Sequence, residues 1–202
     1  RNVAIDYFPW KRAVALGEND PRYDGYFPAY YTADRAKRCQ FSRPLGYSRV
    51  GFAYLQSATP FNWEHLSDLE STSIGVVRGY ANGDEFDQLR QQGRLKRVED
   101  ADSDLINLRK LVGGRIRLAV IDANVLQHLQ SQDPLLQSAA GNIRFHPRLI
   151  NRLSIHICFK PGPAHTRLRN NFDQALLEHV LPADDERGQL PASDNRVLHT
   201  RQ

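Results

Sequence analysis

Short apolar segments alternate with amphipathic segments along most of this chain, and this alternation constrains the fold more than any other feature. The clearest repeat begins with a predicted strand over residues 73–77, followed by a helix over residues 84–91. Apolar residues recur at helical spacing over 101–112, and a strand over 117–121 follows. Strands that alternate with helices in this way are typical of an α/β protein with mostly parallel sheets.

The pattern continues, less regularly, on both sides of this repeat. Residues 3–8 and 24–31 are predicted strands, separated by a short helix that begins at Pro9 and ends at Leu16. The remaining predicted elements are strands over 49–55, 95–98 and 153–159 and helices over 124–130 and 164–180. The last residues, 182–202, are polar and lack periodicity, so we expect a disordered tail there.

Composition and charge exclude several classes of protein. Of the 202 residues, 41% are hydrophobic and 25% are charged, which is ordinary for a globular protein with a core. The longest apolar runs, such as residues 118–121, are far too short to span a bilayer. The net charge is +4, but basic and acidic residues are interspersed, so we expect no nucleic-acid partner.

The two cysteines and the first residue bear on metal binding and on the cellular compartment of the protein. Cys39 and Cys158 lie far apart and match no metal-ligand spacing, so we expect no metal and no cofactor. The sequence favours two separate, partly buried thiols, with a single disulfide in an oxidising compartment as the alternative. No secretory signal is present, but Arg1 is not a natural start, which favours a leader that was removed or that precedes this sequence.

Three stretches carry a resemblance to a known family. The first is Tyr-Asp-Gly-Tyr-Phe-Pro-Ala-Tyr-Tyr-Thr-Ala-Asp-Arg-Ala at residues 23–36, which leads to Phe-Ser-Arg-Pro at 41–44. The second is Ile-Gly-Val-Val-Arg-Gly-Tyr at 74–80, continuing into Asp-Glu-Phe at 84–86, and the third spans 107–122 and ends on aspartate. In order and spacing these stretches resemble the family-3 extracellular solute-binding proteins of bacterial ABC importers, the group that contains polar amino acid receptors.

The resemblance implies a fold and its division into lobes. The fold it implies is α/β, of the type II periplasmic binding protein-like class, with two doubly wound lobes joined by a two-strand hinge. Lobe 1 then comprises residues 1–48 and 151–181, and lobe 2 comprises residues 49–150. Family members have a strand and a long helix before the point that Arg1 matches, so we expect these two elements of lobe 1 to be absent.

The resemblance also implies two charged ligand-binding residues. The arginine of the family's Thr-x-x-Arg element, here Arg35, binds the ligand's carboxylate, and the aspartate that ends the third stretch, here Asp122, pairs with the ligand's ammonium group. A guanidinium suits this role because it donates two parallel charge-assisted hydrogen bonds to a carboxylate. The residues themselves leave two alternatives open, a surface arginine at the start of a short helix and an aspartate that caps a helix.

A loop before the helix at 84–91 forms a further part of the predicted site. Tyr80, Ala81 and Asn82 precede this helix, where free backbone amides and the helix dipole favour an anion. The family presents amides and hydroxyls to the ligand's carboxylate from these positions. An ordinary strand-to-helix turn, capped by Asn82 or Asp84, is the alternative.

The aromatic end of lobe 1 departs from the family pattern. Pro28, Ala29 and Tyr30 stand where many amino acid receptors carry small hydroxyl residues, so acceptors for the ligand's ammonium group are partly lost. We expect Tyr30 and Trp10 to face the cleft. The departure argues against a standard α-amino acid and leaves a small zwitterionic or anionic, amino acid-like solute as the expected ligand.

The sequence therefore predicts a monomeric periplasmic binding protein, not an enzyme, that closes around a small polar or charged solute for an ABC transporter permease. One alternative is the ligand-sensing domain of a membrane receptor, and another is a degenerate domain without a working cleft. A third is an enzyme on this scaffold, such as a cyclic-carboxylate dehydratase. Asp84, Glu85 and His128 are candidate acids or bases by residue type alone, since no nucleophile–base pair accompanies them.

Overall fold

The computed structural model describes residues 3–58 and 61–179, so the predicted tail at 182–202 lies outside the described residues. The helices are α1 (Trp10–Asn19), α2 (Ala33–Ala36), α3 (Asp84–Gln91), α4 (Asp104–Val112), α5 (Ala123–Gln132), α6 (Pro134–Ala139) and α7 (Pro163–His179), with a 3-10 helix at Leu66–Leu69. The strands are β1 (Gly25–Tyr30), β2 (Gln40–Phe41), β3 (Gly46–Leu55), β4 (Ile74–Val77), β5 (Val98–Ala101), β6 (Leu118–Asp122), β7 (Ile143–Phe145) and β8 (Asn151–Phe159).

Strand β3 connects two halves of the molecule. The described strands follow the order β1-β8-β3-β6-β4-β5, with β2 beside β8 and β7 beside β3. The first part of β3 pairs with β8, and its second part pairs with β6 and β7. We call α1, β1, α2, β2, β8 and α7 the terminal half, and β4 to β7 with α3 to α6 the central half. The predicted lobe boundaries fall within β3 and directly before β8, and they stay a prediction.

The prediction of mostly parallel sheets is wrong for the terminal half. Within the described residues, β4 runs parallel to β5 and to β6, as the strand–helix alternation predicted. By contrast, β8 is antiparallel to β1, β2 and β3, and β3 is antiparallel to β6 and β7. The alternation predicts where strands and helices occur, but not which strands pair or in which direction. Strand β8 follows the central half in sequence and pairs with strands from the start of the chain, so its direction is set by this distant contact.

Two apolar layers enclose the sheet of the central half. Phe52, Val76 and Phe86 belong to a buried cluster on one face, with α3 and the 3-10 helix. Ala53 and Leu108 belong to a second cluster on the other face, with α4, α5 and α6. All four residues of β4 are buried, as expected for a strand covered on both faces. The central half is therefore doubly wound.

The terminal half has a smaller core and a disulfide bond. Tyr26 and Ala29 of β1 are buried there together with Cys39 and Cys158, which form the bond. The prediction of two separate thiols is therefore wrong, and the alternative holds. The pairing of β2 with β8 sets Phe41 opposite Cys158, which brings Cys39, two residues earlier, within a Cα–Cα distance of 5.5 Å.

Several predicted elements have different bounds in the structure. Residues 3–8 form no strand, and residues 95–97 form a turn that precedes β5. Helix α1 continues past Leu16 to Asn19, and Gly17 allows it to pack closely on β1, since a Cβ there would lie 2.7 Å from Tyr26 Cδ1. Helix α4 begins at Asp104 because the Ser103 side chain caps it, accepting a hydrogen bond from the Ile106 amide.

Helix α6 and strand β7 were not predicted. Asp133 ends α5 and caps α6, whose first residue is Pro134, so two helices follow one another without a loop. Strand β7 has three residues and pairs antiparallel with the last residues of β3. Among the described helices, we find none with the length and apolar character needed to cross a membrane.

Candidate functional site

A cavity of about 120 Å³ is lined by residues of both halves. From the terminal half and β3 come Trp10, Pro28, Tyr30, Arg35 and Val50, and from the central half come Tyr80, Ala81, Asn82, Asp104, Val120, Ile121, Asp122 and Val125. All seven residues that the sequence predicted for the site therefore line one cavity. That they bind a ligand stays a prediction.

Arg35 is held in the wall of this cavity by backbone carbonyls. It lies in α2, which Thr32 caps by accepting a hydrogen bond from the Arg35 amide. The guanidinium donates from Nη1 to the carbonyl oxygen of Tyr30 at 3.0 Å and from Nη2 to that of Gly79 at 3.2 Å. Its Cζ lies 5.2 Å from the centre of the Trp10 ring, within reach of a cation–π interaction. These contacts fix the direction of the guanidinium.

The charge of Arg35 has no ion-pair partner in the part of the chain that the structure describes. Its residue is only 7% exposed, and this burial lowers the pKa of the guanidinium. The alternative of a surface arginine is therefore wrong. Buried charges are usually paired, because desolvation is costly. Two of the five N–H donors point to carbonyl groups, so Arg35 keeps donors for an anion in the cavity.

Trp10 connects this part of the cavity to the central half. Its indole Nε1 donates to the carbonyl oxygen of Gly79 at 3.0 Å. The ring meets Tyr80 edge to face, with centroids 5.9 Å apart, and also meets Tyr26. Gly79 has φ +82°, a conformation that glycine adopts at little cost. The Gly79 carbonyl therefore accepts hydrogen bonds from both Trp10 and Arg35.

In the loop before α3, most of the predicted hydrogen-bond donors already bind acceptors within the protein. The Tyr80 amide donates to the carbonyl of Val77, while the Asn82 amide and side chain both donate to the carboxylate of Asp87. The Ala81 amide has no acceptor among the described residues. Of the three residues predicted for this part of the site, only Ala81 therefore keeps a free backbone amide within the described structure.

Asp122 is the N-cap of α5, as one alternative predicted. Its Oδ1 accepts from the amides of Asn124 and Val125 at 2.8 and 3.0 Å. Its Oδ2 accepts from the Arg49 amide at 3.0 Å and from the Ser48 hydroxyl. A carboxylate offers about four acceptor positions. The structure therefore fills the acceptor capacity of Asp122 with its own donors.

Ser48 connects Asp122 to Tyr30, and Asp122 and Tyr30 both line the cavity. Ser48 is buried in β3 and was not among the predicted site residues. Because its one proton goes to Asp122, it accepts from the Tyr30 hydroxyl at 2.7 Å. Burial raises the pKa of Tyr30 to about 12, so this hydroxyl keeps its proton at neutral pH. We call Tyr30, Ser48 and Asp122 the hydroxyl chain.

Asp104 is a cavity residue that the sequence analysis missed. It is the first residue of α4 and accepts a hydrogen bond from the Tyr80 hydroxyl at 3.2 Å. Burial, with a smaller contribution from the charge of Asp122, raises the pKa of Asp104 from 3.8 to about 6. An aspartate at the start of a helix is common, because it complements the helix dipole, so nothing in the sequence marks Asp104 as unusual.

The residues named for an enzymatic alternative lie elsewhere. Asp84 and Glu85 are exposed in the first turn of α3, and His128 is exposed on α5. None of the three lines the cavity between the halves. Across residues 3–58 and 61–179, we find no group of three or more histidine, cysteine or acidic side chains placed to hold a metal ion.

Comparison with known proteins identifies the fold. No protein-family model matches the sequence, and no curated protein matches it. Solved structures match at low sequence identity. One is the arginine-bound form of truncated ArgBP from T. maritima, with a TM-score of 0.70 and 16% identity over 87% of this chain and 76% of that chain.

Two further structures show the same likeness. A histidine kinase sensor domain with similarity to periplasmic binding proteins has a TM-score of 0.69 and 18% identity, over 84% of this chain and 70% of that chain. The GluR0 ligand-binding core from Nostoc punctiforme, in complex with L-glutamate, has a TM-score of 0.67 and 16% identity, over 86% and 76%. The chain therefore has the type II periplasmic binding protein fold, as the sequence predicted.

Proposed function

We propose that this chain is a non-enzymatic binding domain whose cavity encloses a small, amino acid-like solute, with Arg35 holding the solute's carboxylate. One observation carries this proposal: Arg35 is buried, oriented by two carbonyls and without an ion-pair partner in the described structure, and it lines a cavity shared by both halves. A bound carboxylate supplies the missing negative charge. The planar guanidinium and the nearby Ala81 amide offer donors that suit its two oxygens.

The acidic side chains of the cavity favour a solute that also carries a positive charge. Asp104 and Asp122 line the same cavity as Arg35. A zwitterion places its carboxylate near the guanidinium and its ammonium group near a carboxylate, so opposite charges meet at both ends. The ArgBP and GluR0 structures were solved with arginine and with glutamate, and this likeness supports an amino acid-like ligand.

Closure of two lobes is the mechanism we propose for binding. Residues 1–48 and 151–181 form one lobe and 49–150 the other, with β3 and the approach to β8 as the two connections. The site residues come from both lobes, so a ligand that contacts both stabilises the closed state relative to the open one. The binding energy then shifts a conformational equilibrium, without any chemical step.

The biological role we propose is solute capture outside the cytoplasm, as a monomer delivering its ligand to an ABC transporter permease. The Cys39–Cys158 disulfide supports a periplasmic or other oxidising location, where such bonds persist. The likeness to a histidine kinase sensor domain favours a second candidate, a ligand-sensing domain of a membrane receptor. Both roles need the same ligand-binding cavity.

A thermal-shift screen tests the proposal. The chain is heated with each proteinogenic amino acid, with simple carboxylates and with polyamines. At about 100 times its dissociation constant, a ligand stabilises the fold by roughly 2.7 kcal/mol, which raises the melting temperature by a few degrees. We expect at least one amino acid to stabilise the chain and, by NMR, to remain chemically unchanged during incubation. Stabilisation by none, or conversion of the bound compound, contradicts a binding domain of this kind.

A further inference from the structure

Two carboxylates line the cavity, and they differ in their capacity to accept further hydrogen bonds. Asp122 already accepts four hydrogen bonds, from three backbone amides and the Ser48 hydroxyl. These bonds begin α5 and connect it to β3, so a ligand that displaced one of them would break part of the fold's own structure. A ligand ammonium group with three N–H donors gains little from an acceptor that is already occupied.

Asp104 is in the opposite condition. From other described residues its carboxylate receives one hydrogen bond, from the Tyr80 hydroxyl at 3.2 Å, and it lines the same cavity. That hydroxyl and the backbone amide of Asp104 itself occupy two of about four acceptor positions, which leaves room for two N–H donors of a ligand. Tyr80 packs against Trp10, whose ring contacts Arg35, so this aromatic pair connects Asp104 to Arg35, and both residues line the cavity.

We propose that Asp104, rather than Asp122, accepts the ligand's ammonium group, and that the hydroxyl chain of Tyr30, Ser48 and Asp122 is a fixed structural element beside the cavity. This inference rests on the proposed function, because it assigns the second charge of the same zwitterionic ligand. It changes which residue sets specificity. Asp104 decides between an amino acid and the same molecule without its amino group.

The protonation of Asp104 gives this assignment a pH signature. The titratable and charged groups that line the cavity with it are Tyr30, Arg35, Tyr80 and Asp122. The raised pKa of Asp104, about 6, means that the carboxylate charge is lost in mildly acidic solution. An ammonium group gains most from the ionised form, so affinity for the amino acid rises as the pH rises through 6 and then levels off. A ligand without an amino group does not show this rise.

The test compares matched ligands in matched variants. By calorimetry, dissociation constants are measured for L-glutamate and glutarate, and for L-arginine and 5-guanidinopentanoate. In each pair the second compound lacks the α-amino group. The variants are Asp104→Asn, Asp122→Asn and, as the matched control, Asp102→Asn. Asp102 lies two residues before Asp104, and its exposed carboxylate pairs with Arg78. Circular dichroism checks that each variant is folded.

We expect the wild type to prefer the amino acid of at least one pair, and Asp104→Asn to reduce that preference by about 10- to 100-fold, the usual effect of losing a charged hydrogen bond. Asp102→Asn keeps the preference. An unchanged preference in folded Asp104→Asn overturns the inference, and its loss in Asp122→Asn instead would assign the ammonium group to Asp122. The wild-type pH profile is the second measurement, and an affinity for the amino acid that is flat between about pH 5 and 7 also counts against it.

The failure of this inference differs from the failure of the proposed function. If the wild type binds glutarate or 5-guanidinopentanoate as tightly as the amino acid, the carboxylate site stands and the role of Asp104 falls. If the wild type binds no member of either pair, and no compound of the thermal-shift screen, both proposals fall together.

Discussion

Arg35 donates a hydrogen bond from Nη2 to the carbonyl oxygen of Gly79, 44 residues further along the chain. The same carbonyl accepts from the indole of Trp10, so two residues of the terminal half converge on one backbone atom of the central half. The guanidinium is thereby oriented by both halves of the molecule. An anion that binds Arg35 lies where the two halves already meet.

Trp10 is expected to report ligand binding through its fluorescence. The chain has two tryptophans: Trp10 lines the cavity, while Trp63 is buried in the apolar cluster with Phe52. A ligand in the cavity changes the surroundings of Trp10 but not those of Trp63. With the strongest amino acid of the thermal-shift screen, Trp63→Phe should keep the fluorescence change and Trp10→Phe should lose it. The reverse pattern places the ligand elsewhere.

Asp122→Ala is expected to destabilise the fold whether or not ligand is present. The variant removes the cap of α5 and leaves the amide of Arg49 without its acceptor, at a cost of about 1–3 kcal/mol. Urea denaturation measures the loss. Asp84→Ala, an exposed first-turn aspartate without a capping role, is the control and should change stability by about 0.5 kcal/mol or less. Equal effects of the two substitutions contradict the structural role given to Asp122.

Reduction of the disulfide is expected to lower stability substantially. Cys39 and Cys158 are 119 residues apart, and closing so long a loop restricts the unfolded chain, which contributes about 2–5 kcal/mol. Denaturation in urea with and without reductant measures this contribution. The double variant Cys39→Ala/Cys158→Ala should show the lower stability in both conditions. If the reductant does not change the stability of the wild-type chain, the disulfide bond does not contribute as expected.

The free energy of unfolding should depend on pH through the raised pKa of Asp104. Its pKa is raised in the folded state, so between about pH 4 and 6 the folded chain binds more protons than the unfolded chain, and stability falls as the pH rises. A pKa that differs by one between the folded and unfolded chain corresponds to about 1.4 kcal/mol, so the loss is about 1–3 kcal/mol. Other carboxylates also titrate in this range, so the quantity to measure is the difference between wild type and Asp104→Asn. That difference should fall up to about pH 6 and then stay constant.

Much of the central half could be predicted from the sequence, because local signals decide its elements. Helix α3 has the predicted bounds, since charged residues and a glycine stop at Gly93 mark its ends. The antiparallel pairing of β8 and the disulfide could not be predicted from local patterns. Both follow from the return of the chain after residue 150, which places Cys158 opposite Phe41. Periodicity contains no information on such distant contacts.

The candidate site, too, could be predicted only in part from the sequence. The resemblance placed Arg35 and Trp10 near a cleft, but the burial of Arg35 depends on its contacts with Trp10 and with the distant Gly79. Ser48 and Asp104 were missed for a related reason. A serine in a strand and an aspartate at a helix start are ordinary in sequence, and their importance comes from tertiary partners, Asp122 and Tyr80.

The most direct test of the central claim is a titration that asks whether Arg35 holds the ligand's carboxylate. By calorimetry, the strongest amino acid of the thermal-shift screen and its α-carboxamide are titrated into wild type, Arg35→Gln and Arg38→Ala, an exposed arginine that follows α2. We predict that wild type and Arg38→Ala bind the acid at least about 100-fold more tightly than the amide, as expected for a buried charged pair, and that Arg35→Gln abolishes this difference. If Arg35→Gln is folded and binds the acid as tightly as wild type, Arg35 does not hold the carboxylate and the central claim is wrong.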